Sequence, residues 1–165
     1  MMLALTLPVT KLITMAAVSL SALFGPPRIQ VTEVTPGHTA PAGAVLLVEG
    51  HHHQESATLT ITGRAEGMKN GQRITLPLKL DPAGGGRFAV MRQWTVGTPW
   101  VLVLAAGQGE DGAHGVAEAL VKIDASGKLV GIEYPAAGWI GTSNTPKRTS
   151  TDAINSVLLT LASKR

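Results

Sequence analysis

The sequence contains no cysteine. This absence excludes disulfides, thiolate metal sites, a catalytic thiol and a lipoprotein attachment cysteine. Aromatic residues make up only 4% of the 165 residues, so the core must be built from Val, Leu, Ile and Ala. Lys and Arg are scattered, with Lys147–Arg148 and Lys164–Arg165 the only adjacent basic pairs. Because a nucleic-acid surface needs clustered cations, nucleic acid is not expected as a partner.

The first 25 residues are apolar, and Lys11 is their only charged residue. An apolar run of about 13 residues follows Lys11, and small residues come next, which is typical of a secretory signal peptide. Small side chains at Ser19 and Ser21 predict cleavage after residue 21, with residue 25 as a later limit. The run is too short for a membrane span, which needs about 20 apolar residues. An uncleaved anchor and a true start at Met15 are the alternatives.

Residues 26–134 predict one antiparallel β-sandwich of about eight strands, because alternating or apolar runs recur about every 10 residues between turn signals. The predicted centre is residues 86–106, read as a hairpin of two β-rich runs around a Gly/Pro turn. Its second run, from Trp100 to Ala106, is apolar at every position and is expected to be covered on both faces. Asn70–Gly71 predicts a second hairpin. Pro77, which cannot donate to a ladder, predicts an edge strand or a bulge.

A repeated spacing of Gly and aromatic residues, ending in two aliphatic residues, marks this predicted centre: Gly86, Phe88, Gly97, Trp100, Val101 and Leu102. Over residues 29–133 the chain resembles bacterial extracytoplasmic immunoglobulin-like and transthyretin-like sandwiches, including the carboxypeptidase-regulatory-like domains. The resemblance implies a binding, adhesive or accessory role without a catalytic centre. Several related sandwiches in bacterial metal-handling systems carry exposed histidines.

The end of the chain predicts a connecting loop, residues 135–148, and an amphipathic helix, residues 149–165. Trp139 and Ile140 are expected to anchor the loop to the domain. Residues 149–152 supply N-cap chemistry. Apolar residues follow at helical spacing, namely Ala153, Ile154, Val157, Leu158 and Leu161. We expect this face to pack on the sandwich, and docking of a protein partner is the alternative.

One cluster of residues has side chains that could bind a metal. It directly follows an apolar run, residues 44–48, that is expected to form a buried strand. In an extended backbone four of its side chains project to the same side: Glu49, His51, His53 and Glu55. Two imidazoles about 6.6 Å apart and a carboxylate can hold one divalent ion, and nitrogen and oxygen donors suit Cu(II), Ni(II) or Zn(II). His38 or His114 could add a further ligand. The alternative is a solvated polar loop, and a turn at Gly50 would destroy the shared side.

No nucleophile elbow or other local catalytic signature is present, so the chain is not expected to be an enzyme. The favoured hypothesis is an exported, periplasmic or secreted binding or accessory module that holds a divalent metal through the His cluster. The alternative is a structural or protein-interaction domain of the bacterial envelope with no metal site. No membrane span is expected after signal cleavage.

Overall fold

Nine strands and one helix form in the residues that the structure, a computed structural model, describes: 27–52, 59–109, 112–113, 115–140 and 145–163. The predicted signal peptide, residues 1–21 or up to 25, lies outside these residues. In chain order the elements are β1 (Arg28–Glu33), β2 (Ala44–His51), β3 (Leu59–Lys69), β4 (Gln72–Pro77), β5 (Leu80–Gly84), β6 (Arg87–Met91), β7 (Trp100–Gln108), β8 (Val116–Ile123), β9 (Leu129–Glu133) and the helix α1 (Thr151–Ser163).

The strands form two antiparallel sheets, one of four strands in the order β1-β2-β6-β5 and one of five in the order β4-β3-β7-β8-β9. This confirms the predicted antiparallel sandwich with a C-terminal helix, with nine strands where about eight were expected. The Asn70–Gly71 hairpin between β3 and β4 is confirmed, and both of its turn residues have positive φ. No helix in the described ranges has the length and apolar character needed to span a bilayer.

The additional strand arises because the chain after the Asn70–Gly71 turn does not form one strand but divides at Pro77 into β4 and β5. Pro77 ends β4 at the edge of the five-stranded sheet, as its missing N–H predicts. The next N–H, that of Leu78, still donates to Gly63 O at 2.9 Å. The chain then crosses to the other sheet, where the Gln93 side chain accepts from Lys79 N at 2.9 Å and donates to Lys79 O at 2.8 Å.

The predicted hairpin over residues 86–106 is wrong, because its two strands lie in different sheets. β6 pairs with β2 and β5, whereas β7 pairs with β3 and β8. The connection between them is mostly exposed, but some of its side chains enter the interior. Trp94 and Thr98 are both buried, and Trp100 Nε1 donates to Thr95 O at 2.8 Å. The residues between the two runs therefore cross from one sheet to the other.

β7 is confirmed as a central strand that is covered on both faces. Trp100, Leu102 and Leu104 enter the core between the sheets, which also contains Val48 and Val90. The alternate side chains, Val101 and Val103, face away from that core and pack with Ile154 and Leu158 of α1. The molecule therefore has three layers: the four-stranded sheet, the five-stranded sheet and the helix.

α1 begins after Ser150, whose Oγ accepts the N–H of Ala153 at 3.2 Å, so the predicted N-cap chemistry is present. Ile154, Leu158 and Leu161 are buried against the outer face of the five-stranded sheet. This packing covers the helix face that a docking partner would need.

Trp139 and Ile140 do not anchor the preceding loop, contrary to the sequence-based expectation. They are 44% and 57% exposed. The loop instead forms a short bridge of its own, in which Trp139 pairs with Pro146 and Lys147 N donates to Gly138 O at 2.8 Å. Because these backbone bonds are satisfied locally, the loop needs no apolar side chain in the core to hold its shape.

All four sheet edges carry a feature that interrupts them. On β1, the Tyr134 hydroxyl accepts from Val31 N at 3.2 Å and donates to Val31 O at 3.3 Å. β5 contains Pro82 and a register shift, β4 ends at Pro77, and β9 has a register shift against β8. Such features disfavour the addition of further strands.

We predict that Gly67→Ala lowers the free energy of unfolding by about 1–3 kcal/mol, the usual cost of overpacking. A Cβ on Gly67 would stand 2.7 Å from the ring of the buried Trp100. Gly131→Ala is the matched strand control, because a Cβ there meets nothing within 4 Å. Urea unfolding of both variants tests this, and equal stabilities would contradict the close packing of Trp100 on Gly67.

Candidate functional site

The described part of the predicted His cluster lies on the outer face of the four-stranded sheet. Glu49 and His51 belong to β2, and Glu49 Oε1 is 3.7 Å from His51 Nε2. Both side chains are partly exposed. Gly50 between them faces the core, where a Cβ would stand 2.8 Å from Ile61. Glu49 and His51 therefore project to the same side of the sheet, as predicted. Gly50 continues the strand and does not form a turn.

The other predicted ligands are not brought to this pair within the described residues. His38 lies in the loop beyond the far end of the β1–β2 hairpin, more than about 15 Å along the strands from His51. Its Nδ1 accepts from Thr35 N at 3.1 Å and bonds to Thr35 Oγ1 at 2.8 Å. His53, Glu55 and His114 lie outside the described residues. In the described ranges no three His, Asp or Glu side chains are grouped to hold a metal.

Two arginines surround the Glu49–His51 pair in the sheet register. Arg28 of β1 is opposite His51, and Arg87 of β6 is opposite Glu49. Directly opposed residues are about 5 Å apart at Cβ, so Arg28 and Arg87 flank this pair in the sheet, although Arg87 Nε donates to Gly84 O at 3.4 Å. Two positively charged residues in the neighbouring register positions disfavour a divalent cation here.

A second candidate site, which the sequence did not single out, lies at the start of α1. We call it the α1 pocket, a cavity of about 450 Å³ between α1, the outer face of β8 and the loop after β9. Its apolar lining residues are Val116, Leu120, Pro135, Ala136, Ala137, Ala153 and Val157. Its charged and polar lining residues are Glu118, Glu133, Lys147, Arg148, Thr149, Ser150 and Ser156.

Glu118 is the most unusual residue of the α1 pocket. It is only 4% exposed, because it projects from β8 onto the sheet face that α1 and the preceding loop cover. Its Oε2 accepts the N–H of Thr149 at 2.6 Å. Its Oε1, although buried, has no hydrogen-bond partner among the described residues, and neither has the buried Thr149 Oγ1. An unpartnered buried polar group costs about 1–3 kcal/mol.

Glu66, on the same face of the same sheet, has hydrogen-bond partners for both of its carboxylate oxygens. It is 2% exposed, and its Oε1 accepts from Arg64 Nε at 2.8 Å. Its Oε2 accepts from Arg73 Nε at 2.9 Å and from Thr75 Oγ1 at 2.6 Å. Burial alone would raise the pKa of Glu66, but the hydrogen bonds from Arg73, Thr75 and Arg64 outweigh it and lower the pKa from 4.5 to about 2.

The two carboxylates therefore differ in their ion pairs. Two arginines of the chain neutralise Glu66. The described residues form no ion pair with Glu118. A signal for Glu118 was present in the sequence, because it lies between Val116 and Leu120 on one side of a strand. The alternation of that strand favoured an exposed side for it, and only the covering by α1 makes the residue buried.

Comparisons with protein-family models, with curated proteins and with solved structures found no match to this chain. The class of protein is therefore defined by its own architecture. It is an antiparallel β-sandwich whose five-stranded sheet is covered by one C-terminal helix.

We predict that Glu66→Gln lowers the free energy of unfolding at pH 7 by roughly 2–4 kcal/mol, because it leaves two arginines without their charge partner. The contribution of the wild-type carboxylate is complete above its unfolded-state pKa of about 4.3. It is lost as the pH falls towards about 2. Urea unfolding between pH 7 and pH 3 should therefore show a steeper decline for the wild type than for Glu66→Gln.

The exposed Glu33 at the end of β1 provides the control for this experiment. Glu33→Gln should keep the pH dependence of the wild type. Parallel stability curves for the wild type and Glu66→Gln would contradict the assigned role of Glu66.

Proposed function

We propose that the chain is an exported, non-enzymatic β-sandwich module that binds a small ligand in the α1 pocket. One observation carries this proposal: the α1 pocket, of about 450 Å³, brings an apolar wall together with charged and polar residues, among them the buried Glu118. An apolar ligand body can displace water from that wall, and the polar residues around it can orient the ligand.

The surroundings of Glu118 support binding more than a merely structural role. Glu118 lacks the complete pairing of Glu66, whose two carboxylate oxygens both accept hydrogen bonds. Half of the residues that line the pocket are apolar and half are polar or charged, so the pocket offers both a hydrocarbon surface and groups that can orient a ligand. Export is supported by Lys11 and the apolar run after it. The absence of a local catalytic signature supports the non-enzymatic assignment.

The proposal is tested with three probes that share a four-carbon body: n-butylammonium, 1-butanol and butyrate. We expect at least one of them to shift the backbone amide NMR signals of residues 133, 134, 136, 137 and 147–150 saturably. Ala153 lines the pocket, so Ala153→Met should fill it and abolish the shifts. Ala162→Met in the same helix, outside the lining, should leave them unchanged. No shift with any probe, or shifts that survive Ala153→Met, would overturn this function.

A second candidate function is binding of Cu(II), Ni(II) or Zn(II), supported by the distance of 3.7 Å between Glu49 Oε1 and His51 Nε2 on one face. In that arrangement His53 and Glu55 would supply the remaining ligands. The two arginines in the neighbouring register positions weigh against it.

Calorimetric titration with each metal distinguishes these possibilities. If the metal site exists, His51→Ala should weaken a single saturable site at least tenfold. His38→Ala should change nothing, because His38 lies beyond the opposite end of the hairpin. Weak heats that are the same in both variants would remove the metal function and leave a structural or protein-interaction domain as its alternative.

A further inference from the structure

We propose that the ligand of the α1 pocket is a neutral molecule with an unbranched hydrocarbon chain, and that this chain extends from the pocket into a second cavity beside it. This inference rests on the proposed function and names the chemical class of the ligand. It is carried by the position of the second cavity, by the open space at Gly131 and by the balance of charge in both cavities.

The second cavity, which we call the β9 groove, has a volume of about 690 Å³ and lies between α1, β9 and the turn before β9. Ser156 and Val157 line both the β9 groove and the α1 pocket, so the two cavities adjoin along one side of the helix. The apolar lining residues of the β9 groove are Ala125, Val130, Ile132, Val157 and Leu161. From Ala153 in the α1 pocket to Leu161 in the groove the helix rises about 12 Å, which is close to the length of an extended ten-carbon chain.

Gly131 leaves one wall of the β9 groove open. It belongs to β9 and pairs with Lys122 of β8, whose side chain also lines the groove. A Cβ on Gly131 would meet no atom within 4 Å. The absence of a side chain at this position therefore gives a hydrocarbon room to lie in the groove against Val157 and Leu161.

One ion pair lies at the junction of the two cavities. Lys122, which lines the β9 groove, places its Nζ 2.7 Å from Oε2 of Glu133, which lines the α1 pocket. The two side chains are 29% and 54% exposed, and ion pairs that are exposed in this way are weak. A ligand can therefore pass beside this pair or separate it at little cost in free energy.

Charge defines the polar end of the ligand. Each cavity is lined by acidic and basic residues in equal numbers, namely Lys122 and Asp124 in the β9 groove and Lys147, Arg148, Glu118 and Glu133 in the α1 pocket. A charged ligand would lose its hydration without meeting an excess of opposite charge. A hydroxyl costs less to desolvate, and it can donate to a carboxylate or accept from a basic side chain. The balance of charge therefore favours a neutral polar end.

The test measures the binding of 1-alkanols of four to ten carbons to the full chain at pH 7 by NMR titration. Each CH₂ that enters the groove should raise the affinity about fourfold, so 1-decanol should bind at least a hundredfold more tightly than 1-butanol. 1-Decanol should shift the amide signals of residues 130–132 together with those of the α1 pocket, whereas 1-butanol should shift only the latter. Decylammonium and decanoate should bind severalfold more weakly than 1-decanol.

Variants of the β9 groove separate binding there from a general affinity for hydrocarbon. Gly131→Leu should fill the groove, weaken 1-decanol at least tenfold and leave the affinity for 1-butanol unchanged within a factor of two. Gly131→Ala is the matched control, because its single methyl group leaves most of the open space, and it should weaken 1-decanol less than threefold. Thr160→Phe fills the groove from the exposed side of the helix and should act as Gly131→Leu does.

Other outcomes separate this inference from the proposed function. If 1-butanol binds and longer alkanols bind no more tightly, or if both groove-filling variants leave 1-decanol unaffected, the extended ligand is overturned while binding in the α1 pocket stands. Tighter binding of decylammonium or decanoate than of 1-decanol would overturn the neutral class. If neither an alkanol nor a charged four-carbon probe shifts the signals of the α1 pocket, the ligand class and the binding function both fail.

Discussion

Burial of β7 on both faces is the constraint on which the rest of the structure depends. The strand is apolar at every position from Trp100 to Ala106, so one covering sheet would leave half of its side chains in water. Each fully buried Val or Leu contributes about 1.5–3 kcal/mol, which makes a second covering layer strongly favourable. α1 supplies that layer through Ile154 and Leu158. The C-terminal helix is therefore an integral part of the fold, and the five-stranded sheet would be incomplete without it.

Covering the outer face of the five-stranded sheet costs free energy, because it buries the carboxylates of Glu66 and Glu118. At Glu66 the cost is offset by two arginines and a threonine, and the resulting network ties β3 to β4. Arg73 also reaches Asn155 of α1 at 3.5 Å, which connects the network to the helix. At Glu118 the compensation is incomplete. The helix layer thus covers a fully paired carboxylate at one end of the face and an incompletely hydrogen-bonded one at the other.

Local patterns predicted most elements, whereas sheet membership depended on contacts that are distant in sequence. Asn70 and Gly71 adopt positive φ and close the β3–β4 hairpin through the conformations that their own residue types favour. By contrast, Gly97 suggested a hairpin turn, although the residues around it cross between the sheets. Glu49 and His51 were predicted together because strand geometry alone places them on one side. The site at Glu118 could not be predicted in this way, because its burial depends on how α1 docks about 30 residues later in the chain.

The interrupted edges of the two sheets limit the backbone contacts that another chain can make with this protein. Many β-domains capture a partner by extending their hydrogen-bond ladder with a foreign backbone, a mode that is permissive about sequence. Here the Tyr134 hydroxyl occupies Val31 on one rim, and prolines or register shifts break the other three. Strand addition at these rims is therefore disfavoured, and so is edge-to-edge pairing between two copies of the chain.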